Sequence, residues 1–124
     1  STVHANTSRD ALSRLETMIG MAGVTLPPKA MRQQISSAIT VVLQIGRLTD
    51  GKRKMVSIQE VTGMEGEMIT MQEIFAFKQT GVTTDGAVQG HFRATGIRPK
   101  FVERIRAHGV PVRDELFDPS RIYE

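Results

Sequence analysis

Near residue 39 of this 124-residue chain the hydrophobic period passes from helical to alternating, and that change sets what it can fold into. Ala11, Leu12, Leu15, Met18, Ile19 and Ala22 recur at the spacing of one helix face, with Arg9, Arg14 and Glu16 off the stripe. From residue 39 the period becomes two: Ile39, Val41, Leu43 and Ile45 alternate with Thr40, Val42, Gln44 and Gly46, as in a strand. A chain that switches in this way combines helices with strands, and its first residues, read as a buried strand of an α/β sheet, give the expectation of an α/β fold.

Local signals set the boundaries. Thr7 or Ser8 can cap the first helix, with Asp10 completing a box-like pattern, and Gly23 ends it. Pro27 and Pro28 open a second helix with Met31, Gln34, Ile35 and Ala38 on one face. Asp50-Gly51 predicts a hairpin turn, followed by a return strand over about residues 53–61 that Gly63 and Gly66 break. A third extended run covers residues 68–77, so residues 39–77 read as an antiparallel β-meander. Residues 81–96 are rich in Gly and Thr, with a short strand at 87–93. Pro99 opens a last helix with Ile97, Phe101, Val102 and Ile105 as its buried side, and Gly109 closes it. Residues 113–124 form a polar tail with Leu116, Phe117 and Ile122 as docking residues.

Residues 1–6 read as a short strand delivering His4 to its carboxyl end, where α/β sheets place ligand contacts. A strand starting at residue 1 leads to the expectation that the chain is a piece of a longer one. The imidazole of His4 can donate to an anion, Thr2 and Asn6 add polar contacts, and Arg9 lies near the start of the following helix. Against this stands the plainer role of a strand-capping histidine, and a solvated Asp10–Arg14 pair one helical turn apart.

Composition narrows the classes. The absence of cysteine excludes disulfides and thiolate metal sites, and a net charge of +3 permits anionic partners without demanding them. Arg47, Lys52, Arg53 and Lys54 gather at the hairpin, but no aromatic side chain is interleaved with them to stack bases. That argues against nucleic acid and for a charged strand edge. His4, His91 and His108 show no metal-ligand spacing. Glu60, Glu65, Glu67 and Glu73 read as a solvent-facing row, and no Gly-x-x-x-x-Gly-Lys-Ser/Thr phosphate loop occurs.

Residues 1–16, STVHANTSRDALSRLE, resemble the histidine box of the secretion ATPases, most closely the CpaF/TadA branch that powers tight-adherence pilus assembly. Residues 46–53 and 60–66, ending in Gly-Met-Glu-Gly, and residues 90–99, GHFRATGIRP, are similar to the same branch, so the resemblance spans nearly the whole chain in order. It implies the carboxyl-terminal part of a RecA-like P-loop ATPase domain, spanning residues 1–124, with the Walker A and Walker B motifs upstream. His4, helped by Thr2, Asn6 and Arg9, would orient the terminal phosphate of ATP. Mg²⁺ and most of the nucleotide would be held by residues outside this chain, which alone would turn over no ATP.

The resemblance further implies a homo-hexamer, cytoplasmic and peripheral at the inner membrane, that works on a membrane platform protein to assemble pili or secrete protein. A conjugation-type relative shares the same core chemistry. The alternative from another class is a non-catalytic module that binds a partner protein through the meander and terminal helix.

Overall fold

A computed structural model describes residues 2–123. Two helices, α1 (Ser8–Met21) and α2 (Pro28–Ala38), precede an antiparallel sheet of β1 (Val41–Arg47), β2 (Arg53–Glu65), β3 (Met68–Val82) and β4 (Val88–Ala94). A short helix α3 (Phe101–Ala107), a 3-10 turn (Asp114–Phe117) and the two-residue β5 (Ile122–Tyr123) complete the chain. The strands lie in the order β1-β2-β3-β4-β5, each antiparallel to its neighbour. The mixed helix-and-sheet class is as expected; among the described residues the sheet is wholly antiparallel.

At its central strands the sheet is covered on both faces, and two consecutive residues of β2 show how. Successive strand side chains point to opposite sides. Val61 enters a core with Leu12 of α1, Ile35 of α2 and Ile69 of β3. Its neighbour Glu60 points the other way, toward α3. On that second face Ile74 and Val102, both fully buried, pack with Phe117.

Local chemistry explains the helices. The Thr7 side chain accepts from the Asp10 backbone N–H at 3.0 Å, satisfying one of the free donors of the first turn of α1. Pro27 and Pro28 start α2, where a missing N–H costs nothing. Of the predicted α1 stripe, Leu12 is buried and Leu15 and Ile19 pack beside it, whereas Met18 lies half in solvent.

Several expectations need correction. Residues 2–5 form no strand, and among the described residues no strand pairs with them; the Gln44 side chain instead donates to the Ala5 carbonyl at 3.1 Å. Gly63 does not break β2: it sits at a register shift with φ +140°, and the reversal comes at Gly66. β3 runs on to Val82, so the meander includes β4. Ile97 is exposed rather than buried. The tail is not simply polar, since Phe117 is buried and Tyr123 stacks edge-on against Phe75. Leu116 and Ile122 stay exposed.

β1 is an edge strand whose more apolar row faces outward. Val41, Leu43 and Ile45 are exposed, while Val42, Gln44 and Gly46 point beneath the helices. Register places Val41 beside Glu60 and Leu43 beside Ile58, so the exposed row shares the face that carries α3.

Candidate functional site

The residues preceding α1 lie along the open end of the helix and form one wall of a cleft. His4, Ala5 and Asn6 line it from the segment, and Asp10 and Arg14 line it from the first two turns of α1. The cleft is open to solvent, with a volume of about 510 Å³. Its shape follows from three local facts. Thr7 is extended (φ −138°, ψ 164°), so the chain bends sharply into the helix. Its side chain closes the first turn. Gln44 holds the Ala5 carbonyl, fixing the peptide between His4 and Asn6 against β1.

Chemically the cleft combines an exposed imidazole, a carboxamide, a guanidinium and one carboxylate. The first three donate hydrogen bonds to an oxyanion such as a phosphate. Among the described residues no group of three or more His, Asp or Glu side chains is placed to hold a metal ion. With three donors and a single carboxylate in its lining, the cleft fits phosphate oxygens and does not by itself fit Mg²⁺.

The sequence-predicted site residues separate. His4 and Asn6 come together in the cleft. Thr2 is exposed and is not among the lining residues. Arg9 turns away: its guanidinium donates to the Ile69 carbonyl at 3.1 Å and pins α1 to the start of β3. The Asp10–Arg14 ion pair expected from helical spacing is not formed among the described residues.

The four cations of the β1–β2 hairpin stay at its tip, with Arg47 directly opposite Arg53 in the register. Lys54 lies 5.3 Å from the centre of the Phe77 ring, an aromatic neighbour supplied by β3 that no spacing along the sequence shows. His91 lies opposite Lys78 in the register, and His108 is the C-cap of α3.

Glu60 is the residue that pattern misjudges most. It is 2 % exposed, not part of a solvent-facing row, and accepts three hydrogen bonds, from Gln72 and from the backbone of Lys100 and Phe101. Glu73 is likewise half-buried and accepts from the Ser57 hydroxyl at 2.7 Å. A sequence hint lies at α3, whose own segment offers no side-chain cap, but the glutamate that serves it is 40 and 41 residues away.

Among the described residues no helix is long and apolar enough to cross a membrane. Neither the family models nor the curated proteins compared with this chain yield a match.

Proposed function

We propose that this chain is the carboxyl-terminal portion of the RecA-like ATPase domain of a CpaF/TadA-type secretion motor. The observation that carries the reading is the placement of His4: its ring is exposed at the lip of a polar cleft beside the start of α1, with Asn6 and Arg14 in the same lining. Residues 2–5 form no strand, so the imidazole has no strand end to cap. In this motor ATP binds between subunits of a homo-hexamer at the cytoplasmic face of the inner membrane, and hydrolysis drives a platform protein that assembles pili or exports protein.

Phosphoryl transfer depends chiefly on positioning and on stabilising charge. His4 donates to an oxygen of the terminal phosphate and so reports whether that phosphate is present. The signal has a short path. His4 is joined through Asn6 to the Thr7 cap, so a shift of the imidazole moves the first turn of α1. It is also joined through Ala5 to Gln44, so the same shift pulls on β1.

The test is His4→Ala in the full-length protein. Steady-state ATP hydrolysis should fall at least tenfold, about the loss of one charge-assisted contact, with hexamer assembly unchanged by light scattering. Unchanged hydrolysis would remove His4 from the mechanism.

A second reading, a non-catalytic protein-interaction module, is favoured by the uncovered apolar row Val41, Leu43 and Ile45. The coding sequence upstream of Ser1 separates the two. A Gly-x-x-x-x-Gly-Lys-Thr phosphate loop there supports the motor, and its absence supports the module.

A further inference from the structure

Arg9 and Arg14 stand five positions apart on α1, which turns them about 140° from one another around the helix axis. They therefore serve different sites. Arg9 faces the sheet and is occupied by the Ile69 carbonyl. Arg14 is exposed, lies one turn beyond Asp10 and lines the same cleft as His4 and Asn6. Among the described residues its guanidinium makes no ion pair, although Asp10 lies at the spacing that favours one.

We infer that Arg14, not Arg9, is the guanidinium that binds the terminal phosphate of the nucleotide at the His4 cleft. The inference rests on the ATPase reading above. A guanidinium stays charged at any working pH and presents its donors as a planar fork that spans two phosphate oxygens. The imidazole of His4 supplies a single directional bond, so the two side chains have complementary roles, with Arg14 neutralising charge and His4 orienting the phosphate. Because Arg14 sits in the second turn of α1, the phosphate is gripped from both the loop and the helix that follows it. Arg9 has a separate duty as the clamp between α1 and β3.

The experiment compares Arg14→Ala, Arg14→Lys and Arg9→Ala in the full-length protein, measuring kcat/KM for ATP and the thermal midpoint of each. Arg14→Ala should lower kcat/KM about tenfold or more without moving the midpoint, and Arg14→Lys should recover part of the loss, because an ammonium keeps the charge but not the fork. Arg9→Ala should lower the midpoint while folded protein keeps its kcat/KM. Wild-type kcat/KM in Arg14→Ala, or a large loss confined to Arg9→Ala at an unchanged midpoint, overturns the inference and leaves the ATPase reading intact. A wild-type full-length protein that hydrolyses no ATP overturns the ATPase reading instead. Titration of inorganic pyrophosphate into the 124-residue chain, followed through the His4 ring signals, then decides on Arg14: shifts lost in Arg14→Ala support it, and shifts that persist in that variant, or none in wild type, overturn it.

Discussion

Glu60 of β2 accepts the backbone N–H of Phe101 at 2.9 Å across 41 residues of sequence, so a strand supplies the cap that α3 lacks within its own segment. Its other carboxylate oxygen takes the Lys100 N–H and the Gln72 amide, both at 2.9 Å. The carboxylate is acceptor-only and meets three donors, so its burial is compensated by hydrogen bonds. The same residue joins the sheet to the element that covers its second face, where Val102 and Phe117 close over Ile74.

Glu60→Ala should therefore destabilise the chain by about 3 kcal/mol, combining a lost cap with donors left buried. Glu60→Gln should cost less, because its oxygen can keep the Lys100 and Gln72 donors while its NH₂ is set against the Phe101 N–H alone. Urea denaturation followed by circular dichroism measures both. A loss below about 1 kcal/mol in Glu60→Ala, the worth of a single exposed cap, would show that α3 holds its place without the carboxylate.

Asp50 ties the β1–β2 turn to β4, a strand that pairs with neither β1 nor β2. One carboxylate oxygen accepts the Val88 N–H at the start of β4, and the other accepts the Lys52 N–H in its own turn. Those hydrogen bonds, Val88 first and Lys52 second, hold its pKa below the ordinary value of 3.8. A folded-state pKa below the unfolded one means stability that is present above pH 3.8 and is lost as the pH falls through the folded value. Asp50→Asn should weaken the chain at neutral pH and flatten part of its acid unfolding limb. Asp85 and Asp118, also lowered, by side-chain hydrogen bonds from Thr83 and Ser120 respectively, contribute in the same direction. Stability against pH for both proteins checks this, and parallel acid limbs would contradict it.

Much of this architecture is legible where the information is local. The Thr7 cap, the Leu12–Leu15–Ile19 stripe, the Pro-opened α2 and the Asp50-Gly51 turn all come from residues within a few positions of one another. What the pattern misreads depends on neighbours remote in sequence. Residues 2–5 include strand-forming side chains, but among the described residues no strand pairs with them. Gly63 reads as a breaker, yet its neighbours in β3 hold the strand through a bulge. The separation of Arg9 from Arg14 follows from helical geometry, but only the Ile69 carbonyl identifies the face that meets the sheet.

Gly90 is required by close approach rather than by backbone angle. A Cβ at this position would lie 2.4 Å from both the Lys78 carbonyl oxygen and the Phe77 ring. The ring could turn, but the carbonyl belongs to the β3–β4 ladder and cannot move without breaking it. Gly90→Ala should cost about 2–3 kcal/mol, near the upper end for overpacking. Gly86→Ala, where nothing lies within 4 Å but φ is +89°, should cost less, from backbone strain alone. Equal losses in the two variants would mean that the approach to Lys78 is relaxed by a small strand shift.

Gln44 gives the candidate site a test that needs no nucleotide. Its Nε2 donates to the Ala5 carbonyl, holding the peptide between the two cleft residues His4 and Asn6. Gln44→Glu is nearly isosteric, removes the donor, and sets a carboxylate against a carbonyl oxygen, so the bond is replaced by repulsion. Residues 2–6 should then gain fast backbone motion, read as a fall in the {¹H}–¹⁵N nuclear Overhauser effect. The global loss should stay near 1 kcal/mol, because one partly exposed hydrogen bond contributes about that much. α1 should remain ordered, since its own cap at Thr7 is untouched. If the segment stays rigid in Gln44→Glu, the cleft wall is held by the Thr7 turn alone, and the path from His4 to β1 is lost while the path to α1 remains.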